Sequence, residues 1–285
     1  MTGRGATPAG GPAHDGDGLG RADLPAELPG ALARGDLRLH YQPVVGFAGS
    51  AVVGFEALVR WEHPRLGLLG PDRILAAARV AGLVAQLDAW VVGEACRAAA
   101  GWAAEVRGVA PPAVAVNASL RHLDGRFVAA VDRAIDGLGL DPGLLCVDVH
   151  ERDLADASAH DVAVLGELVA RGVRCSVDDF GVHLSTAEAL AGLPVHAVKL
   201  DRTLVARLGE GRDDEAYARS IVRDAHARGL TVTAEGIETP RQLSEVRSLG
   251  CDHGQGFYFA RPQPAEVVRA LVHHPFRWRE RHPAA

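Results

Sequence analysis

The sequence predicts one α/β barrel, of the (β/α)8 TIM-like type with an antiparallel first strand. Three observations carry that prediction. Eight short β-rich runs recur along the chain, most gaps between them hold a helical pattern, and polar residues gather where the runs end. With 285 residues, 48% hydrophobic and 23% charged, the chain is long and apolar enough to bury one such core.

The first two runs, 37–45 and 52–61, are joined by Gly46-Phe47-Ala48-Gly49-Ser50. That connection is short enough for a hairpin, so the two strands are expected to pair antiparallel. Residues 71–106 are Ala-rich and periodic at helical spacing, and predict two helices. Further strands are expected at 113–118, 145–150, 175–180, 197–201, 231–236 and 256–259. Helical patterns fill 123–138, 155–171, 185–193, 213–228, 240–249 and 264–272. Residues 1–28 are rich in Gly, Pro and Asp and too poor in apolar side chains to fold, so they predict a disordered tail. The folded domain is expected over 29–278, with 279–285 a second tail.

Composition narrows the function classes. A formal net charge of -6 provides no basic field, so neither DNA nor RNA is an expected partner. An anionic ligand would need a local device, a metal ion or a few placed arginines. No window reaches the roughly 18 apolar residues of a membrane span. The N-terminus lacks a charged-then-apolar signal pattern, and the expected location is the cytoplasm. Cys96, Cys146, Cys175 and Cys251 are scattered without a C-x-x-C pair, which favours reduced thiols in the core. Of 30 Lys+Arg residues only Lys199 is lysine, and Asn117 is the only asparagine. A lone survivor of each type invites a chemical reason.

Both fall where a barrel carries its chemistry, at the C-terminal ends of strands. Asn117 closes Ala-Val-Ala-Val-Asn, and Asp148 interrupts Leu-Cys-Val-Asp-Val-His with Glu151 just beyond. Asp178 and Asp179 end one run, and Lys199 and Asp201 the next. Glu235 and Glu238 follow Thr-Val-Thr-Ala, Gln255 precedes Gly-Phe-Tyr-Phe, and Glu56 sits inside Gly-Phe-Glu-Ala-Leu-Val. A single acidic residue at a strand end is most often a helix cap. Carboxylates from many strands on one rim would repel one another unless cations neutralised them. Oxygen donors of this kind suit Mg²⁺ or Mn²⁺, and no His-x-x-x-His or cysteine pair points to zinc. His150 and His183, beside this rim, are read as packing or solvent-facing, and Trp61 and Trp90 as core.

The motifs also resemble a known family. Tyr41-Gln42-Pro43-Val44-Val45, then Gly54-Phe55-Glu56-Ala57-Leu58-Val59-Arg60-Trp61 with His63-Pro64, is similar to the opening of the EAL domain. Val116-Asn117-Ala118-Ser119, Asp178-Asp179-Phe180-Gly181, Lys199-Leu200-Asp201-Arg202, Ala234-Glu235-Gly236-Ile237-Glu238-Thr239 and Gln255-Gly256-Phe257 follow in family order.

The resemblance implies a cytoplasmic phosphodiesterase that opens cyclic di-GMP to linear pGpG. It assigns Glu56, Asn117, Asp148 and Asp178 to one Mg²⁺ or Mn²⁺ ion, and Asp178, Asp179 and Glu235 to a second. Two such ions would activate a bridging water, with Lys199 bonded to that water and Glu235 beside it as the catalytic pair. Gln42, Glu56, Leu58, Arg60, Asp201 and Gln255 would touch the substrate, and Arg60 suits a phosphate oxygen. Glu151 and Glu238 would support the ligands from behind. The chain departs from the family pattern in three places, one of them Arg79, where the family commonly has Glu. Asp148 stands where the family has Glu, and Val182-His183-Leu184-Ser185-Thr186 where it has Thr-Gly-Tyr-Ser-Ser. These departures imply reduced turnover and a weak homodimer. They also open an alternative, a catalytically weak or inactive domain that serves as a cyclic di-GMP receptor or protein-interaction module. A third expectation, an unrelated barrel acting on a sugar phosphate, would rest on Gly254-Gln255-Gly256 as its phosphate loop.

Overall fold

The short connection after residue 45 does make a hairpin, and that hairpin is the seam of a closed barrel. The computed structural model of the chain describes residues 23–49, 51–154, 156–182 and 190–273. Strand β1 (Leu37–Gly46) pairs antiparallel with β2 (Ala51–His63), from Leu37 opposite Trp61 to Gly46 opposite Ala51. A short β3 (Gly67–Leu69) folds back on the far end of β2. From β2 the sheet continues in parallel through β4 (Ala113–Ala118), β5 (Leu145–His150), β6 (Arg174–Phe180), β7 (Ala197–Leu200), β8 (Thr231–Ala234) and β9 (His253–Gly254). The pairing of β9 with β1, again antiparallel, closes the ring. A two-residue β10 (Gln263–Pro264) lies against the start of β1.

Helices cover the outside. They are α1 (Leu24–Arg34), α2 (Pro71–Ala81), α3 (Val84–Glu105), α4 (Gly125–Leu138), α5 (Glu151–Leu154), α6 (Ala159–Ala170), α7 (Arg202–Arg207), α8 (Arg212–His226), α9 (Pro240–Ser248) and α10 (Ala265–His273). The stretch 71–106 divides into two helices because Gly82 adopts a left-handed C-cap (φ 67°) after α2. Strand alternation decides what each face does. On β2, Phe55, Ala57, Val59 and Trp61 are buried in the hydrophobic core, and Phe55 and Tyr41 both pack on the Trp102 ring of α3. The opposite face of β2 carries Glu56, Leu58 and Arg60. Three of the four cysteines are fully buried, and burial pushes the thiols of Cys175 and Cys251 up to about 12, far from reactive thiolates.

Three expectations change, and a fourth goes untested. The tail does not extend to residue 28, because α1 begins at Leu24 and buries Leu24, Leu28 and Ala31. Asp23 caps it by accepting from the Ala26 N–H, and Gly35 ends it at φ 72°. The Gly/Pro-rich composition of the preceding residues hid that signal. The eighth strand is His253–Gly254, not 256–259. Gly256 lies flush against Ile237, where an added Cβ would come within 2.1 Å of the Ile237 carbonyl oxygen. The chain turns there, with Tyr258 N–H bonded to Ile237 and Phe259 N–H to Gly256. Helix α7 was not expected, and Asp201 nucleates it by accepting from Thr203 N–H at 2.7 Å. The helix expected at 185–193 falls largely on residues outside those described.

Helix α1 is clamped to the end of β2. The buried ring of His63 donates from Nε2 to Glu27 at 2.9 Å, while its Nδ1 accepts from the N–H groups of Arg65 and Leu66, each at 3.2 Å. Arg65 also pairs with Glu27. Glu27→Ala would strand a buried imidazole N–H, and about 1–3 kcal/mol of stability should be lost. A urea midpoint together with amide exchange along α1 checks this, and unchanged values for both would contradict it.

Asp88 on α3 is 8% exposed, and burial pushes its carboxyl up to about 7. An unfolded aspartate releases its proton near pH 4. Between about pH 4 and 7 the folded state therefore holds a proton that the unfolded state has lost. Stability falls as pH rises through that window, and the penalty is complete above it. Asp88→Asn should flatten the slope and raise stability at pH 8 by about 1–3 kcal/mol, under a ceiling of about 4 at 1.36 kcal/mol per pH unit. Denaturant melts at pH 5 and pH 8 measure both effects.

Candidate metal and phosphodiester site

The strand ends deliver their polar residues to one cleft. Parallel register sets Asn117 beside Asp148, Asp148 beside Ser176, and His150 beside Asp178. A register shift between Val177 and Phe180 on β6 interrupts the ladder where Asp178 and Asp179 follow one another. Asp179 is the only non-glycine among the described residues at positive φ (56°). Glu235 follows β8, anchored by its N–H to Leu200, and Gln255 follows β9, anchored to Ala234.

Lys199 is the centre. Its Nζ lies 2.6 Å from Glu235, 3.0 Å from Asp148 and 3.4 Å from Asp178, and its side chain is 6% exposed. The Asp148 contact is an ion pair without hydrogen-bond alignment, so Asp148 Oδ2 stays buried with no aligned donor. Glu56 is held from two sides, by Asn117 Nδ2 at 2.7 Å and Gln255 Nε2 at 2.5 Å. Gln255 also donates to Gln42, which in turn donates to the Ala260 carbonyl.

The charges do not balance. Glu56, Asp148, Asp178 and Glu235 surround a single ammonium. Burial is the largest influence on Asp178 and drives its carboxyl up, with Lys199 pulling the other way. Burial likewise pushes Glu235 well above the carboxylate range. Burial works against a charged Lys199, but Asp148, Asp178, Glu235 and Glu56 together outweigh it and hold the ammonium well above its ordinary value. Excess negative charge in a water-poor cleft, an orphaned carboxylate oxygen and an all-oxygen donor set fit hard divalent cations.

Not every expected residue joins this lattice. Asp179 is about half exposed at the edge, where its Oδ2 meets His150 Nδ1 at 3.0 Å. That hydrogen bond, before all else, lowers Asp179 and raises His150. The expectation that His150 packs or faces solvent did not foresee this contact with an expected ligand residue. Its position two residues beyond Asp148, on the same face of β5, was the available signal. His183 falls outside the described residues. Glu151 is fully buried and accepts from the N–H groups of Gly181 (3.4 Å) and Val182 (3.1 Å), bracing the loop after β6. Asp201 serves as the α7 cap. Leu58 and Arg60 continue the Glu56 face of β2 as a half-buried wall, with Arg60 Nη1 bonded to the Val59 carbonyl at 2.9 Å. Glu238 is exposed at the start of α9, with its N–H bonded to Gln242, and the structure does not bring it to the cluster.

Two residues went unnoticed in the sequence. Ser176 donates to Asp148 Oδ1 at 2.5 Å, and Cys146 Sγ lies 3.4 Å from the same oxygen. Each sits two residues before an inner-face carboxylate on its strand, so strand periodicity alone could have found them. They tether the short side chain of Asp148 toward the barrel interior.

Comparison with known proteins agrees with this architecture. The family described as EAL domain matches residues 26–262. The bifunctional diguanylate cyclase/cyclic di-GMP phosphodiesterase MucR of Pseudomonas aeruginosa is 39% identical over 248 residues, 86% of this chain and 36% of that protein. The cyclic di-GMP phosphodiesterase NbdA of the same organism is also 39% identical over 248 residues, 86% of this chain and 31% of that protein. The chain thus spans about a third of the length of these curated relatives. A solved structure described as PaMucR phosphodiesterase in a c-di-GMP complex superposes with a TM-score of 0.80 at 37% identity, covering 86% of this chain and 99% of that one. With its closed barrel, its ordered motifs and these likenesses, the chain belongs to the EAL domain family.

Proposed function

We propose that this chain hydrolyses cyclic di-GMP to linear pGpG. The observation that carries the proposal is the Lys199-centred carboxylate cluster, walled by Gln42, Arg60 and Gln255, in a chain 39% identical to two proteins named as cyclic di-GMP phosphodiesterases. The reaction adds water across one phosphodiester. A water oxygen bonds to phosphorus, the bond to one ribose 3′-oxygen breaks, and the proton released ends on that oxygen.

Glu56, Asn117, Asp148 and Asp178 would hold one divalent cation, and Asp178, Asp179 and Glu235 a second, with Mg²⁺ and Mn²⁺ the expected ions. When bound, such ions supply a nucleophile at neutral pH and stabilise charge on the attacked phosphate. The chain's own residues do the rest. Lys199 keeps its proton and can donate it in a hydrogen bond to the attacking oxygen. Glu235 stands 2.6 Å from Lys199 and is the carboxyl best sited to take the water's proton, since burial raises its affinity for a proton. Arg60 offers a planar cation to a phosphate oxygen. Gln255 holds Glu56 and is itself bonded to Gln42.

A receptor role is the second reading, and Asp148 favours it. Its carboxylate is tied back by Ser176 and Cys146, which shortens its reach toward a shared ion. A weak homodimer and a cytoplasmic location remain part of the proposal, and no helix among the described residues is long and apolar enough to cross a membrane. Purified chain with Mn²⁺ or Mg²⁺ and cyclic di-GMP, followed by chromatography for pGpG, decides among these. Metal-dependent pGpG supports the enzyme, and binding without pGpG makes the receptor the better reading. Neither binding nor product overturns both.

A further inference from the structure

His150 stands apart from the oxygen donors and has no part in the mechanism above. The ladder between β5 and β6 sets it directly beside Asp178, and strand alternation points it to the same side as Asp148. Its Nδ1 faces Asp179 Oδ2 at 3.0 Å. One ligand atom each from His150, Asp178 and Asp179 can be chosen so that all lie within 4.8 Å of one another. Donors on adjacent corners of an octahedral ion, with bonds of about 2.1 Å, stand about 3 Å apart. The His150–Asp179 spacing is therefore that of neighbouring ligands. The ring is 28% exposed and the Asp179 carboxylate 46%, so a cation can reach them from the cleft mouth. Asp178 also belongs to the adjoining Lys199 lattice, where Asp148 Oδ2 is buried without an aligned donor, a second sign that a cation is expected in this cleft.

We propose that His150 is a metal ligand, its Nδ1 joining Asp178 and Asp179 in a mixed nitrogen–oxygen cation site. The proposal deepens the metal-dependent reading above and rests on it for the carboxylates, but not on turnover. Its consequence is metal choice. Carboxylate oxygens serve Mg²⁺ and Mn²⁺ alike, whereas an imidazole nitrogen favours transition metals. This chain should prefer Mn²⁺ to Mg²⁺ at that site by more than an all-oxygen set would. The rival explanation of the same contact is a hydrogen bond in which His150 merely orients Asp179, and direct spectroscopy separates the two.

The full chain is loaded with Mn²⁺ alone, without nucleotide, and examined by pulsed electron paramagnetic resonance for a directly bonded nitrogen. The wild-type protein should show an imidazole ¹⁴N coupling that shifts to the ¹⁵N pattern on ¹⁵N-histidine labelling and disappears in His150→Ala. Calorimetry should find Mn²⁺ affinity reduced tenfold or more in that variant, with Mg²⁺ affinity changed less than threefold. His150→Asn, closer in size, provides the same comparison if the alanine variant does not fold. A wild-type spectrum without bonded nitrogen, or a nitrogen signal that survives both substitutions, overturns the proposal. The nitrogen signal in a chain that makes no pGpG would sink the phosphodiesterase reading and leave His150 standing. Turnover without the signal would do the reverse.

Discussion

Lys199→Met is expected to destabilise the barrel by about 3–5 kcal/mol and to reduce pGpG formation by at least about 10²–10³-fold. Methionine fills much of the same volume but removes the one ammonium between Asp148, Asp178 and Glu235. The loss of stability follows from desolvation and not from lost packing. Carboxylates already pushed up by burial would lose the partner that opposes that push. Two secondary effects identify the cause. The variant should recover stability as pH falls from 8 to 5, because the folded carboxyls take up protons before the unfolded ones do. Saturating Mn²⁺ should restore part of the loss, because a cation replaces the missing charge. Equal destabilisation at both pH values, insensitive to Mn²⁺, would reduce Lys199 to a packing residue.

How far the sequence foretold this site depends on how each residue is held. Asn117, Asp148 and Lys199 lie near the ends of parallel strands, as does Asp178 despite the register shift on β6, so their convergence follows from the barrel itself. Glu56 was legible because a lone carboxylate inside Gly-Phe-Glu-Ala-Leu-Val has no solvent to face. Glu238, given a supporting role by resemblance, stands away from the cluster although it is close to Glu235 in sequence. Between them Ile237 is buried against Gly256, and Thr239 opens α9 with a capping box, which turns Glu238 outward. The Phe257-Tyr258-Phe259 run has strand-like composition, yet the close approach at Gly256 forbids the pairing that composition suggests. Helix α1 and helix α7 were missed for a shared reason. Each is short and depends on one aspartate cap, Asp23 or Asp201, more than on a long apolar period. The Asp201 side chain, assigned to substrate by resemblance, is thus already engaged with Thr203.

Glu235→Gln separates catalysis from binding, and the two should part widely. The substitution keeps size and one carbonyl oxygen but removes the group that can accept a proton. Hydrolysis should fall by about 10²–10⁴-fold, the range of a lost general base, and further if a cation ligand is also weakened. Cyclic di-GMP binding, measured by calorimetry, should stay within about tenfold, roughly 1.4 kcal/mol, because Gln42, Arg60 and the Glu56 face of β2 are untouched. Stability should change little, since two effects oppose. A neutral amide relieves a buried carboxylate that burial already drives toward protonation, while Lys199 loses its closest partner at 2.6 Å. The amide oxygen can still accept from that ammonium, so no buried donor is stranded. A variant that turns over at the wild-type rate removes Glu235 from the chemistry. A variant that loses binding and hydrolysis together would show instead that Glu235 builds the cleft, with the proton acceptor to be sought among Asp178 and Asp179.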